Sequence, residues 1–407
     1  MIRDDFPVFK NNPDLIFFDS TASSQKPSHV IDGLKEFLEN DYANIHRGSY
    51  ILSERSEKLY IDSKKKFANM IGAESWREVI YTMNSTYALN LLADSLRRSN
   101  KLQKGDTVIV SIVEHHANIV PWLILKEDLG INVEFVGVCD DYSLDFEDFK
   151  NKLDETVKVV SLTHVSNVTG QIFDLKKVSK LLQEIYSDTK PYFIVDSSQG
   201  FPHLHTNVSE IGCDFLFCTG HKFGADSGIG ILWGKKDLLL DLKPAFSGGG
   251  AIAHVTTDEF EPAGLPDKFE PGTPNISGGV SVLRALEYVE QIGGYDKIEQ
   301  IEHELTYHFL EKLKDFDGMT LLGSRDAYER VGVFTFAIDG VHSLDLADFL
   351  AEKDICIRAG RHCAEPLLNN KGMTHSCRVS LYIYNTTEEI DIFFEELEKA
   401  IQVLREV

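Results

Sequence analysis

The sequence has no apolar run near the roughly 20 residues needed to cross a bilayer, so no membrane role is expected of it. Positive charge is outweighed too: 41 basic residues stand against 64 acidic ones, a formal net charge of -23. Neutralising a nucleic-acid backbone requires grouped Lys and Arg, so nucleic acid is not expected as a partner, and the acidity reads as a solubility feature of the surface. Cysteine is sparse: Cys139, Cys213, Cys218, Cys356, Cys363 and Cys377 form no CxxC pair and no zinc-ligand spacing, which argues against a disulfide framework or a metal site. The acidic start MIRDDFPVF lacks the regions of a secretory signal, and free thiols in a reducing cytoplasm are the expectation. Neither GxGxxG at a first strand–helix turn nor GxxxxGK[ST] occurs, so a nucleotide-binding reading has little support. Repeats and low-complexity stretches are absent, and the chain is expected to fold throughout.

What is present is long enough for one large domain and a smaller one, at 407 residues with 43% hydrophobic and 26% charged. From about residue 75 to 240, short apolar runs alternate with helical patterns: EVIYT (78–82), TVIVS (107–111), VKVVSLT (157–163), YFIVD (192–196), DFLFCT (214–219) and GIGILW (228–233), with helices near 85–97, 119–128 and 174–187. Runs apolar on both faces suit a mostly parallel buried sheet, hence an α/β layer architecture. A stretch rich in Gly and Pro, from FSGGG (246–250) to EPGTPNISGG (270–279), reads as a domain crossing before a long helical region near 277–316. Beyond it, strands near 331–338, 355–358 and 378–384 mix with helices near 343–353 and 387–404, as in a smaller α+β domain.

Asp196 ends the strand pattern FIVD, and Lys222 follows a later strand in CTGHKFG. Ligands collect outside the carboxyl ends of such strands. A lysine able to form a Schiff base and a carboxylate able to pair with a pyridinium nitrogen fit pyridoxal 5′-phosphate (PLP), although spacing alone suits a helix cap and a solvated lysine as well. Ser85 and Thr86 open a helix, where free N–H groups favour a phosphate or simply a cap. His115 and His116 lie in VEHHANIVPW, between a strand and a helix, able to offer a ring face or a proton acceptor. Cys363, in RAGRHCAEP, is flanked by Arg358, Arg361 and His362, and nearby positive charge favours a thiolate nucleophile. On these grounds a structural thiol remains as good a reading. Cys213, Cys218 and Cys356 lie in apolar runs and read as core residues. Arg378 suits bidentate recognition of an amino acid carboxylate, or a surface ion pair.

Together these segments resemble the group II, Suf-type cysteine desulfurases of the class V aminotransferase group. The motifs that carry the resemblance run nearly end to end: FFDSTASSQKPSHVID (17–32), NIHRGSYILSERS (44–56), VEHHANIVPW (113–122), THVSNVTGQI (163–172), IVDSSQG (194–200), TGHKFG (219–224), FEPGTPN (269–275), GVHSLDLADFL (340–350), IRAGRHCAEPL (357–367) and CRVSLYIYNTTEEID (377–391). The resemblance implies the PLP-dependent fold type I, with an N-terminal arm (1–20) joined to the small domain, a large PLP-binding domain (21–275), and a linking helix and small domain (276–407). It implies that Lys222 holds PLP, Asp196 pairs with the ring nitrogen, Gln199 bonds the ring hydroxyl and His115 stacks on the ring. Ser85, Thr86, Thr219 and His221 would bind the phosphate, with Thr273 supplied by the partner of a homodimer. Asn167 and Arg378 would hold L-cysteine, and Cys363 would carry its sulfur as a persulfide to a Suf-type acceptor protein, for iron–sulfur cluster or other thio-cofactor assembly. Selenocysteine lyase, cysteine sulfinate desulfinase or another class V PLP reaction, such as an aminotransferase, are alternatives on the same scaffold. The chain departs from the family pattern at Ala225-Asp226, where a glycine-proline pair is usual, at Asn84-Ser85-Thr86-Tyr87 in the phosphate loop, at Arg361 in place of a histidine, and at His342-Ser343-Leu344-Asp345.

Overall fold

Segments such as TVIVS are buried at every position, which only a strand covered on both faces can achieve. The computed structural model, which describes residues 2–46, 48–187, 189–314 and 316–405, places them in one seven-stranded sheet. Position 47, within the NIHRGSYILSERS motif, lies outside the described residues. The strand order is Val79–Thr82, Gly230–Gly234, Phe215–Thr219, Tyr192–Asp196, Val157–Thr163, Thr107–Ser111 and Asn132–Val136. Gly230–Gly234 runs antiparallel to both neighbours and the remaining pairs are parallel. The six anticipated strands are present. The seventh, Asn132–Val136, is an edge strand whose alternating burial gave no continuous apolar run. Helices Ser85–Arg98, Val120–Leu129 and Leu175–Ile185 fall where the periodicity placed them.

The long helical region expected near 277–316 is present as two consecutive helices, Ile276–Gln291 and Gly294–Lys314. Gly293 and Gly294 adopt φ of 110° and 72°, a left-handed conformation that glycine tolerates and a continuing helix does not. The first of the pair packs on Ser28–Asn40 and Ile51–Met70, against the large sheet's flank.

A second, antiparallel sheet has the order Met319–Leu322, Val333–Ile338, Ser376–Ser380, Arg358–Gly360. Two expectations are corrected here. The run ICIR is divided between Ile355–Cys356 and Arg358–Gly360, which belong to different sheets. The run RVSLYIY leaves the sheet after Ser380, and Leu381, Tyr382, Ile383 and Tyr384 are buried without strand pairing, so their apolarity reflects packing rather than a ladder. The chain's beginning joins this region: Ile16–Phe17 pairs in parallel with Ile355–Cys356, and Asp19 bridges to Ser380. Phe18 is fully buried among Phe334, Phe336 and Phe393. Burial of such a side chain is worth roughly 1.5–3 kcal/mol, enough to tie the arm down beside the second sheet.

Candidate active site

Asp196, Thr219 and Thr163 each end a strand, so their side chains gather at one edge of the large sheet. A cavity of about 250 Å³ opens there. Of the anticipated residues, Ser85, Thr86, His115, Asn167, Asp196, Gln199, Thr219, His221, Lys222, Cys363 and Arg378 all line it. Thr273 does not. It lies in a separate groove with Asn44, Ile45, His46, Gly249, Gly250 and Gly272.

The floor of the cavity is built around buried charge. Asp196 accepts the Ser198 N–H at 2.9 Å, and burial raises its acid despite that bond and the attraction of Lys222. Lys222 is pushed down to about 8, chiefly by burial, with Arg378 adding to the fall and Asp196 and Cys363 opposing it. Gln199 donates through Nε2 to the Thr21 carbonyl at 2.9 Å, while its Oε1 is buried without a hydrogen-bond partner among the described residues. His115 accepts the Ala117 N–H on Nδ1 at 3.0 Å, and burial followed by the charge of Lys222 lowers it to about 3. It therefore offers a neutral ring face and is a poor base.

At the opposite end, Asn84 caps the helix Ser85–Arg98 by accepting the Tyr87 N–H at 2.8 Å. Ser85 and Thr86 thus occupy the first helical turn, whose N–H groups have no intrahelical acceptor and favour an anion. Ser85 Oγ meets Ser198 Oγ at 2.7 Å, tying this end to the Asp196 loop. Thr219 Oγ1 donates to the Ile229 carbonyl at 3.4 Å, and burial lowers His221 to about 4. The replaced loop after Lys222 is anchored, because Ala225 is fully buried and the Asp226 N–H donates to Ser281 Oγ at 3.0 Å.

The remaining wall comes from the second sheet. Arg378 is only 3% exposed; its Nη1 donates to the Asn167 carbonyl at 3.1 Å and its Nη2 to Asp19 at 3.4 Å. Its Nε is buried and unpartnered among the described residues. Burial lowers Arg378 to about 10, so it stays cationic at neutral pH. Arg358 holds the same Asp19 through Nε at 3.0 Å and Nη2 at 2.7 Å.

Cys363 is exposed on this wall, between two ties: the His116 N–H donates to its carbonyl at 2.9 Å, and Asn167 Nδ2 donates to the His362 carbonyl at 2.8 Å. His362 and Cys363 have φ of 52° and 54°, a conformation uncommon outside glycine, at consecutive positions. The cations expected around the thiol need correcting. His362 is lowered to about 3, by burial first and then by Arg378 and Arg358, and so is uncharged. Arg361 points to Glu365 and to the Thr374 carbonyl. The positive groups that interact electrostatically with Cys363 are Lys222, Arg358 and Arg378. Cys213 and Cys218 are buried as expected, whereas Cys356 is only half-buried.

Several participants carried no assignment in the sequence: Asn84, Ser198, Thr21, Thr163 and Asp19. Asn84 was signalled by its place before Ser-Thr at a helix start, and Ser198 by lying two residues after a strand-ending Asp. Asp19 and Thr21 gave no local signal, since only the pairing of the arm with the second sheet brings them here.

The family model described as Aminotransferase class-V matches residues 16–393. A probable cysteine desulfurase of Synechocystis sp. is 37% identical over 98% of this chain and 95% of its own length. One from Halalkalibacterium halodurans is 38% identical over 97% and 96%. Among solved structures, the apo cysteine desulfurase of Thermococcus onnurineus superposes with a TM-score of 0.92 at 32% identity, covering 98% of this chain and 97% of that one.

Proposed function

The chain belongs to the class V aminotransferase family, with cysteine desulfurases as its relatives, and from that premise we propose that it takes the sulfur of L-cysteine onto Cys363 and releases L-alanine. The observation that carries this reading is that one cavity is shared by an amine with lowered pKa, a buried carboxylate, a buried guanidinium with a free donor and an exposed thiol. The residues fit PLP. The orphaned Gln199 Oε1 can accept from a ring hydroxyl, Asp196 can pair with a ring nitrogen, Lys222 can form the covalent link, and Ser85, Thr86, Thr219 and His221 can receive the phosphate. When bound, the cofactor supplies an electron sink that labilises bonds at the substrate's Cα and Cβ.

The chain's own groups do the rest. Arg378 takes the substrate carboxylate, using the Nε that has no partner among the described residues, and Asn167 borders the same position. Lys222, partly deprotonated near neutral pH, moves the α-proton. The Cys363 thiolate attacks the substrate sulfur, so that an S–S bond forms as the Cβ–S bond breaks, and the carbon skeleton takes up protons and leaves as alanine. An acceptor thiol then removes the outer sulfur by thiolate exchange.

Further parts of the reading rest on the resemblance: the Suf-type subgroup and acceptor, a cytoplasmic setting, the division at 1–20, 21–275 and 276–407, and a homodimer in which Thr273 reaches the partner's phosphate site. No helix among the described residues is long and apolar enough to cross a membrane. A Cys363→Ser protein should bind PLP and cysteine yet lose cysteine-dependent sulfur transfer. Undiminished turnover on cysteine in that variant would refute the assignment, and comparing selenocysteine and cysteine sulfinate as substrates would expose a different reaction.

A further inference from the structure

Glu114 precedes His115, is fully buried, and has no place in the chemistry above. Three donors converge on its carboxyl group. Ser111 Oγ at 2.5 Å and the Thr163 N–H at 3.0 Å reach Oε1, and Asn118 Nδ2 reaches Oε2 at 2.7 Å. Asn118 is itself held by Ser161 Oγ at 2.5 Å. Ser111 ends the strand Thr107–Ser111, Ser161 and Thr163 lie on the neighbouring strand, and Thr163 is the register partner of Asp196. The loop between Ser111 and Asn118 carries His115 into the cavity, and its His116 grips the Cys363 segment twice. The His116 N–H donates to the Cys363 carbonyl, and the His116 ring accepts the Glu365 N–H on Nε2 at 3.4 Å.

We propose that Glu114 is a positioning residue, whose carboxyl clamps the 112–118 loop to the two central strands and so fixes both His115 and the Cys363 segment relative to Asp196. This rests on the roles assigned above to His115 and Cys363. Burial raises the Glu114 acid to about 8, against the pull of its three hydrogen bonds and with the help of Asp196. The clamp acts through hydrogen bonds, so an amide can replace it. A glutamine Oε1 accepts from Ser111 and Thr163, and its NH₂ meets the Asn118 carbonyl once that amide flips and Ser161 turns to accept. Alanine leaves the same donors buried and unpaired.

The test uses full-length Glu114→Ala and Glu114→Gln proteins with circular dichroism as a folding control. Two quantities are read: the rate at which iodoacetamide alkylates Cys363, assigned by peptide mass because Cys139 is also exposed, and the affinity of the cofactor-free protein for PLP. The expected result for Glu114→Ala is alkylation at least threefold faster and PLP affinity about tenfold weaker, with Glu114→Gln within twofold of the parent on both. Glu114→Ala unchanged on both, or Glu114→Gln as impaired as Glu114→Ala, overturns the proposal. If Glu114→Ala does not fold, Asn118→Ala decides by the same readouts. Shifts in both in the same directions support the clamp, and a folded Asn118→Ala with neither shift overturns it. Failure of the underlying reading shows elsewhere: a Cys363→Ser protein with undiminished turnover on cysteine would overturn the role of Cys363 whatever the Glu114 variants do.

Discussion

Lys222 lies between opposing influences: burial and Arg378 disfavour its charge, Asp196 and Cys363 favour it, and burial wins, leaving it near 8 instead of the usual 10.5. The sign has a direct consequence. Only the neutral amine attacks an aldehyde, and lowering the pKa enlarges that fraction near neutrality. In the cofactor-free protein, labelling of Lys222 by a small aldehyde with borohydride trapping should rise about tenfold between pH 7 and 9 and level off. A lysine of ordinary pKa would rise about a hundredfold over the same range without levelling. Peptide mass mapping distinguishes the two. Residue identity made the lysine, carboxylate, thiol and guanidinium legible in the sequence. Their charge states were not, because His362 beside the thiol reads as a cation on paper and is neutral once buried between two arginines.

At the scale of elements, the phosphate-binding turn is shaped by a neighbouring strand. A Cβ on Gly230 would stand 2.3 Å from the Asn84 carbonyl carbon, so Gly230–Gly234 lies against the backbone that aims Ser85 and Thr86. A Gly230→Ala substitution must displace that turn. We expect PLP affinity to fall about tenfold, or about 1.4 kcal/mol, as measured by fluorescence titration of the cofactor-free protein. Strands buried on both faces announce themselves as unbroken apolar runs, which is why six of the seven were legible. The edge strand Asn132–Val136 and the helix break at Gly293-Gly294 were not, the first because half its side chains face outward and the second because apolar periodicity continues across the break. Leu381 to Tyr384 misled for the converse reason, being apolar through packing alone.

Across the whole molecule, the arm and the second sheet bring Asp19, Arg358, Arg378 and Cys363 onto the large sheet's edge, a meeting that no local pattern announces. Thr273 stands apart from that cavity, so the role proposed for it requires a second copy of the chain. Sedimentation should give twice the mass of one chain, and Thr273→Ala should weaken PLP binding without dissociating the pair. A monomer that binds PLP at full affinity would exclude the shared site. In the proposed reaction all the sulfur passes through one thiol. The measurement that tests this is peptide mass analysis of the PLP-loaded protein quenched after one equivalent of L-cysteine. One added sulfur atom is expected on the peptide bearing Cys363, matched by one alanine. Alanine formed with that peptide unmodified, or with the sulfur on another cysteine, would contradict it.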